Sequence, residues 1–259
     1  MPAPINRFKQ ALANGETLIG CWLSMGEMIS AEMMGTTGFD WLLLDGEHNP
    51  YDITKMRQCM AALESSPSQV AVRVPFGETW IIKQVLDAGA QTVLVPMVES
   101  GDHARQLVRD CRYPPNGDRG VGYSTTRAAR FSQIPDYGET ADEQICVLVQ
   151  VENLKGLAAL DDILTVDGID GVFIGPADLA ADMGYLGDMM HEKVQSTIMD
   201  TLGRIAASGK AAGILSTRDD MTQASIDAGA RFVAVGVDMS LLRNAALATS
   251  EKWKSAIRG

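Results

Sequence analysis

Eight short apolar runs recur along this 259-residue chain, and a segment with helical spacing follows most of them. The runs are LIGCW (18–22), WLLLD (41–45), VAVRV (70–74), TVLVP (92–96), CVLVQV (146–151), GVFIG (171–175), AAGIL (211–215) and FVAVG (232–236). Their shortness and β-branched content suit buried strands. Helical spacing is clearest over 53–63, 80–86, 104–111, 157–164 and 194–207. Three such segments stop at glycine, in Asp87-Ala88-Gly89, Ser208-Gly209 and Asp227-Ala228-Gly229. A glycine there ends a helix before the next strand. Strands alternating with helices pair in parallel. Eight such units predict an α/β fold, a closed (β/α)8 TIM barrel forming one domain over residues 1–259. An open doubly wound sheet is the competing arrangement, but no GxGxxG follows the first run.

The ends and the longest connection are read separately. Ile5, Phe8 and Leu12 share one helical face, which predicts a short packed helix over about 4–14 rather than a signal peptide. A C-terminal helix is expected over about 239–258, its apolar face (Leu241, Leu242, Ala245, Leu247, Trp253) set against a partner subunit. The 97–145 connection carries RYPPNGDRGVGYSTTRAARF and reads as an ordered functional loop, not a second domain. Within 112–131, Arg119, Arg127 and Arg130 are candidates to read a distal substrate carboxylate or to form surface ion pairs.

Composition narrows the partners. At 46% hydrophobic and 21% charged residues the chain can bury a large core. No apolar run approaches the ~20 residues of a membrane span. A net charge of −11 argues against nucleic acid and anionic membranes. A small anionic substrate would need locally placed positive charge. Cys21, Cys59, Cys111 and Cys146 form no CxxC, which predicts reduced thiols in a cytoplasmic protein.

In a barrel of this kind the catalytic groups gather at the C-terminal ends of the strands. Those ends read Trp22, then Asp45-Gly46-Glu47-His48, Arg73, Glu99, Gln150 with Glu152, Ala177 with Asp178, and Leu215-Ser216. If the runs ending near Glu152 and Asp178 are neighbours, two hard carboxylate ligands meet at one end of the sheet. That predicts a metal-dependent enzyme acting on a small, oxygen-rich molecule. Either acid alone reads better as a solvated loop carboxylate. No lysine falls inside a strand's C-terminal end, Lys155 being the nearest, so a Schiff-base route lacks its nucleophile. His103 and His191 read as surface histidines.

The segments WLLLDGEH, VRVP, KQVLDAGAQTVLVPMV, RYPPNGDRGVG, CVLVQVE, DGVFIGPADLAADMG and FVAVGVD resemble the metal-dependent (class II) pyruvate aldolases, in particular the 4-hydroxy-2-oxoheptanedioate aldolase group. The likeness runs from about residue 7 to residue 245. It implies a phosphoenolpyruvate/pyruvate-type barrel, and reversible cleavage of 4-hydroxy-2-oxoacids to pyruvate and an aldehyde such as succinate semialdehyde. The route passes through a metal-stabilised enolate, with oxaloacetate decarboxylation as a side activity. The resemblance implies Glu152 and Asp178 as ligands of Mg²⁺, Mn²⁺ or Co²⁺, Arg73 as the group facing the enolate oxygen, and His48 as the base. It implies Gln150, Ala177, Trp22 and Leu215 as substrate contacts, and a homohexamer built as a trimer of dimers. It pairs His48 with Asp87. Asp87, however, ends the helix after the third run, toward the opposite end of its own barrel, so a neighbouring subunit or a departure from a simple barrel would have to bring it. Asp45 is the local alternative. A citryl- or malyl-thioester lyase and a non-catalytic binding barrel are the competing functions.

Overall fold

The computed structural model describes residues 1–258, and every predicted run is a strand. Strands β1 (Leu18–Leu23), β2 (Trp41–Asp45), β3 (Gln69–Arg73), β4 (Thr92–Val95), β5 (Cys146–Val151), β6 (Gly171–Ile174), β7 (Ala211–Leu215) and β8 (Ala230–Val237) close in chain order into one parallel barrel, with β8 returning to β1. The architecture is a TIM-type (β/α)8 barrel in a single domain. Gly89, Gly209 and Gly229 each take a positive φ directly after a helix, which ends it as the sequence predicts.

Strand period two sorts the side chains into two cores. Leu42, Leu44, Val72, Val93, Val149, Val172 and Ile214 point outward and pack under the helices. Trp41, Leu43, Ala71, Leu94, Leu148, Phe173 and Phe232 point inward and fill the barrel. Inside, aromatic rings contact one another in sequence. Trp41 lies 6.1 Å from Phe232, Phe232 lies 5.8 Å from Phe173, and Phe173 lies 5.8 Å from Trp22. Gly20 makes room for this column, because a methyl group there would overlap the Trp41 ring.

The N-terminal helix is Arg7–Ala13, shorter than the sequence suggests. Asn6 stays extended and caps it by accepting from Lys9 N at 2.9 Å, so Ile5 falls before the helix and is exposed. Phe8 and Leu12 are buried as expected. The Phe8 ring sits 5.7 Å from Trp41 and 6.0 Å from Phe232, closing the end of the barrel where the strands begin. The segment 157–164 is not one helix. It divides into Leu154–Ala158 and Leu160–Leu164 at Ala159, whose backbone leaves the helical region.

The 97–145 connection is ordered, with helices Gly101–Cys111 and Tyr137–Gln144 and a small core of its own around Tyr113, Ala129, Ile134 and Tyr137. It packs on the strand-beginning end of the barrel. Asn6 ties it there, donating to the Gln91 and Gln144 carbonyls at 3.0 Å each. Residues Arg130, Phe131 and Ser132 take positive φ in succession, a costly left-handed turn. All four cysteines are free and buried, and burial pushes Cys21 and Cys111 up to about 12, so their thiols are unreactive. Among the described residues, no helix is long and apolar enough to cross a membrane.

Candidate active site

The polar site grows out of the inward-facing series at the strands' C-terminal ends. On β2 the order Trp41, Leu43, Asp45 carries the barrel interior up to a carboxylate, and on β3 Ala71 is followed by Arg73. Asp45 and Arg73 are paired across the two strands. Arg73 Nε donates to Asp45 Oδ1 at 2.7 Å, Arg73 Nη1 lies 2.6 Å from Glu47 Oε2, and the guanidinium sits 4.3 Å over the Trp22 ring. Arg73 is 4% exposed. A charge this deeply buried is stable only when partnered. Both oxygens of Asp45 are engaged here. Oδ1 also accepts from Glu47 N at 3.2 Å, and Oδ2 accepts from Asn49 Nδ2. Asp45 therefore holds Arg73.

On β5 the inward series Leu148, Gln150 continues to Glu152 just past the strand end. Glu152 is 2% exposed. Its Oε1 accepts from Met97 N at 2.8 Å, and its Oε2 accepts from Gln150 Nε2. Met97 takes φ 56°, a left-handed backbone that a non-glycine residue adopts at some cost. Gly175, after β6, lets the pair fit: a Cβ there would lie 2.5 Å from Glu152 Oε2 and 2.9 Å from Gln150 Nε2. Burial pushes the Glu152 carboxyl up to about 7, the hydrogen bonds from Met97 and Gln150 oppose this, and the charges of Glu47 and Asp178 add to it. The strands carrying Glu152 and Asp178 do pair, β5 with β6. Asp178 itself is exposed in the first turn of the helix Pro176–Asp182, beside the exposed Ala177. His48 is also exposed, its Nε2 3.9 Å from Glu47 Oε2. Leu215 ends β7 and packs on the interior cluster.

Glu47 is the residue that sequence reasoning passed over as a site member. It touches Arg73 and stands near His48, and burial pushes its carboxyl up against the pull of those two charges. Its position inside Asp45-Gly46-Glu47-His48, at a strand end rich in function, was the available signal. Two buried polar atoms here, Trp22 Nε1 and Gln150 Oε1, have no partner among the described residues. With Asp45 and Glu47 committed to Arg73, Glu152 and Asp178 are the two hard carboxylates left for a divalent cation, and among the described residues no group of three or more His, Cys, Asp or Glu side chains gathers around one point.

Within one chain, two sets of candidate residues lie away from the strand-ending site. Asp87 ends the helix Thr79–Asp87 at the opposite end of the barrel, where Arg119 Nη2 donates to it at 2.9 Å. It does not meet His48 of its own barrel, because the helix after β3 runs back toward the start of β4. Arg119, Arg127 and Arg130 lie at that same end. Arg119 is fully buried over Tyr113, and Arg127 donates to Glu64 at 3.1 Å. A cavity of about 450 Å³ there is lined by Glu64, Gln91, Arg127, Arg130, Phe131 and Tyr137, remote from the groups above. Lys210 precedes β7 at this end as well. Burial lowers its pKa, and it donates to the Val166 and Ile169 carbonyls, so it offers the site no amine. His191 caps the helix Glu192–Ala207 and stacks 3.8 Å from Tyr185, and His103 lies beside Phe76, so neither histidine joins the site.

Comparison with known proteins agrees with this geometry. The family described as HpcH/HpaI aldolase/citrate lyase matches residues 18–245. The chain is 61% identical over 254 residues to the hydroxypyruvate/pyruvate aldolase of Roseobacter denitrificans, covering 98% of this chain and 99% of that one. It is 48% identical over 248 residues to a 4-hydroxy-2-oxo-heptane-1,7-dioate aldolase of Escherichia coli, covering 96% and 95%. A crystal structure of an HpcH/HpaI aldolase/citrate lyase family protein from Burkholderia cenocepacia superposes with a TM-score of 0.93 at 38% identity, covering 96% of this chain and 99% of that one.

Proposed function

The chain belongs to the HpcH/HpaI aldolase/citrate lyase family, and from that premise we propose how its residues act. The protein is a carbon–carbon lyase, an aldolase that cleaves a hydroxyketoacid to pyruvate and an aldehyde. Its substrates are 4-hydroxy-2-oxoacids such as 4-hydroxy-2-oxoheptanedioate, and the relatives named for hydroxypyruvate extend the ketoacid half to that molecule.

In the cleavage direction His48 takes the proton from the C4 hydroxyl. The C3–C4 bond breaks, the aldehyde carbonyl forms, and the electron pair passes through C3 to the 2-keto oxygen. The Arg73 guanidinium, clamped by Asp45 and Glu47, faces that developing oxyanion without having to reorganise. Protonation at C3 completes pyruvate, and the reverse sequence is aldol addition. Gln150 orients the ketoacid with its free Oε1 edge, and the backbone N–H of Ala177, in the first turn of Pro176–Asp182, would hold the carboxylate. Trp22 and Leu215 form the apolar wall.

Glu152 and Asp178 would hold a divalent ion, Mg²⁺, Mn²⁺ or Co²⁺, which as a Lewis acid would polarise the ketoacid oxygens. Asp87 would reach His48 only from a second copy, which supports a homo-oligomer; the resemblance to the family makes it a hexamer arranged as a trimer of dimers. The observation that carries this reading is the buried Arg73 guanidinium, fixed by two carboxylates at the strand ends that also present Glu152. The test is exchange of the pyruvate methyl protons in D₂O, followed by NMR with and without a chelator. Exchange that requires the ion is the expected result. Exchange that survives chelation overturns the roles of Glu152 and Asp178.

A further inference from the structure

Arg119 is a buried cation with little to hold it. Its side chain is fully buried, and among the described residues its single carboxylate partner is Asp87, which accepts from Nη2 at 2.9 Å. Nε and Nη1 have no partner among those residues, and neither has the hydroxyl of Tyr113, whose ring lies 4.4 Å beneath the guanidinium. Burying a charge in this way is costly. An apolar side chain of similar size would serve the small core of Tyr113, Ala129, Ile134 and Tyr137 as well or better.

Asp87 is no better placed for stability. It is the last residue of the helix Thr79–Asp87, where the unsatisfied carbonyls already present negative charge. Arg119 is its counter-charge.

The local chain is built to bring the two together. The turn from Arg112 to Arg119 is tied at both ends. Arg119 N donates to the Arg112 carbonyl at 2.9 Å, Asp118 N donates to the Arg109 carbonyl at 2.8 Å, and the Asp118 carboxylate accepts from Arg109 Nε and Nη2 at 2.8 Å each. Gly117 lets the turn close, since a Cβ there would lie 2.3 Å from the Arg109 carbonyl oxygen. The end of the helix is pinned as well, with Ala128 N donating to the Asp87 carbonyl at 3.2 Å. The outcome is a carboxylate with one oxygen held and one free. Oδ1 takes Arg119, while Oδ2 has no partner among the described residues and the side chain is 22% exposed.

We infer that Arg119 is a positioning residue, which holds Asp87 by Oδ1 and leaves Oδ2 for His48 of a second copy. The inference rests on the pairing of Asp87 with His48 across copies proposed above, and Arg119 itself touches no substrate. A guanidinium stacked on a ring fixes the carboxylate in orientation. Its charge also offsets that of Asp87, which limits how strongly the acid retains a proton on the imidazole. The ionisable groups around the pair are Cys111, Tyr113, Tyr137 and Asp142 from the long connection, Arg127 against the Ala88 carbonyl, and Lys83 one turn back on the helix. Burial pushes the thiol and both phenols up, so they stay neutral in the window tested. In its own chain His48 faces Glu47, which Arg73 holds.

The test is the pH profile of kcat for cleavage of 4-hydroxy-2-oxoheptanedioate with Mn²⁺. The proteins are wild type, Arg119→Met, Arg119→Lys, Asp87→Asn and the double variant Arg119→Met with Asp87→Asn, with folding and assembly checked by circular dichroism and sedimentation. Arg119→Met should lower kcat about tenfold or more with KM within about twofold of wild type. It should also move the acid limb up by on the order of one pH unit, because the Asp87 charge is then unopposed. Arg119→Lys keeps the charge without the fixed plane, so it should restore the limb and only part of kcat. Where Asp87→Asn is already present, Arg119→Met should cost less than about twofold more. A wild-type kcat and limb in Arg119→Met, with Asp87→Asn impaired, overturns the inference and leaves Asp87 its role. A second full loss in the double variant also overturns it, since Arg119 would then act by another route. Wild-type turnover in Asp87→Asn instead fails the pairing with His48, and the inference with it. If Arg119→Met does not fold or assemble, Arg119→Lys is read in its place, alone and with Asp87→Asn. A lowered kcat that Asp87→Asn absorbs then supports the inference, and a wild-type kcat overturns it.

Discussion

Glu152 carries the sharpest consequence at the scale of single residues. Its carboxyl is pushed by burial up to about 7, against about 4.3 for a free side chain. Between those values the folded chain keeps a proton that the unfolded chain has lost. Stability of the metal-free protein from this group is therefore complete below about 4.3 and declines as pH rises to 7. A cation must displace that proton, so affinity should rise about tenfold per pH unit from about 5 to 7 and level off above. Mn²⁺ titration by calorimetry at several pH values checks this, and Glu152→Gln should abolish both the binding and its slope. A flat affinity across the window would remove Glu152 from the ligand set. Arg73, Glu152 and Gln150 were legible in the sequence because each continues an inward-facing series past the last apolar residue. Glu47 was not, since nothing in the order of residues says which acid of Asp45-Gly46-Glu47-His48 turns toward Arg73. The left-handed backbone of Met97, which aims its N–H at Glu152, was equally hidden, because methionine gives no sign of that conformation.

Elements were read well where hydrophobic period decided them and poorly where a cap did. The strands were legible because each is a short apolar run, and on β2, β3 and β5 the inward series ends in a polar residue at the site. The start of the first helix was not, because the capping bond from Lys9 N to Asn6 outweighs the apolar spacing that would have enrolled Ile5. That helix matters beyond its seven residues. Phe8 is buried between Trp41 and Phe232 in a space no other side chain fills. Phe8→Ala should cost about 3–5 kcal/mol, as large-to-small core substitutions do. The loss should appear as a lower denaturation midpoint in urea, with metal affinity at the other end of the barrel retained. A change below about 1 kcal/mol would mean that the aromatic column closes without the N-terminal helix.

At the scale of the whole molecule, the sequence predicted a barrel but not which end the long connection would cover. Segment 97–145 looked functional for its arginines, yet it folds against the strand-beginning end and takes Arg119 to Asp87. Only assembly can bring that end of one copy near the strand-ending end of another. If it does, His48→Gln and Asp87→Asn should each be nearly inactive alone. Mixed after dissociation and reassembly, they should recover on the order of a quarter of wild-type turnover, because some sites then draw both intact residues from different chains. Mixtures that stay inactive would confine the site to a single chain and remove Asp87 from it.

The side chains packed through the barrel, from Phe8 and Trp41 up to Phe173 and Trp22, leave the strand-ending site a blind cup with a single doorway. Whatever settles deepest must arrive first and depart last. On the proposed roles, the ketoacid half, held against Arg73 and Gln150, would be trapped beneath the aldehyde half until the latter diffuses away. The order of traffic would thus be set by the packed interior of the barrel, which takes no part in the chemistry.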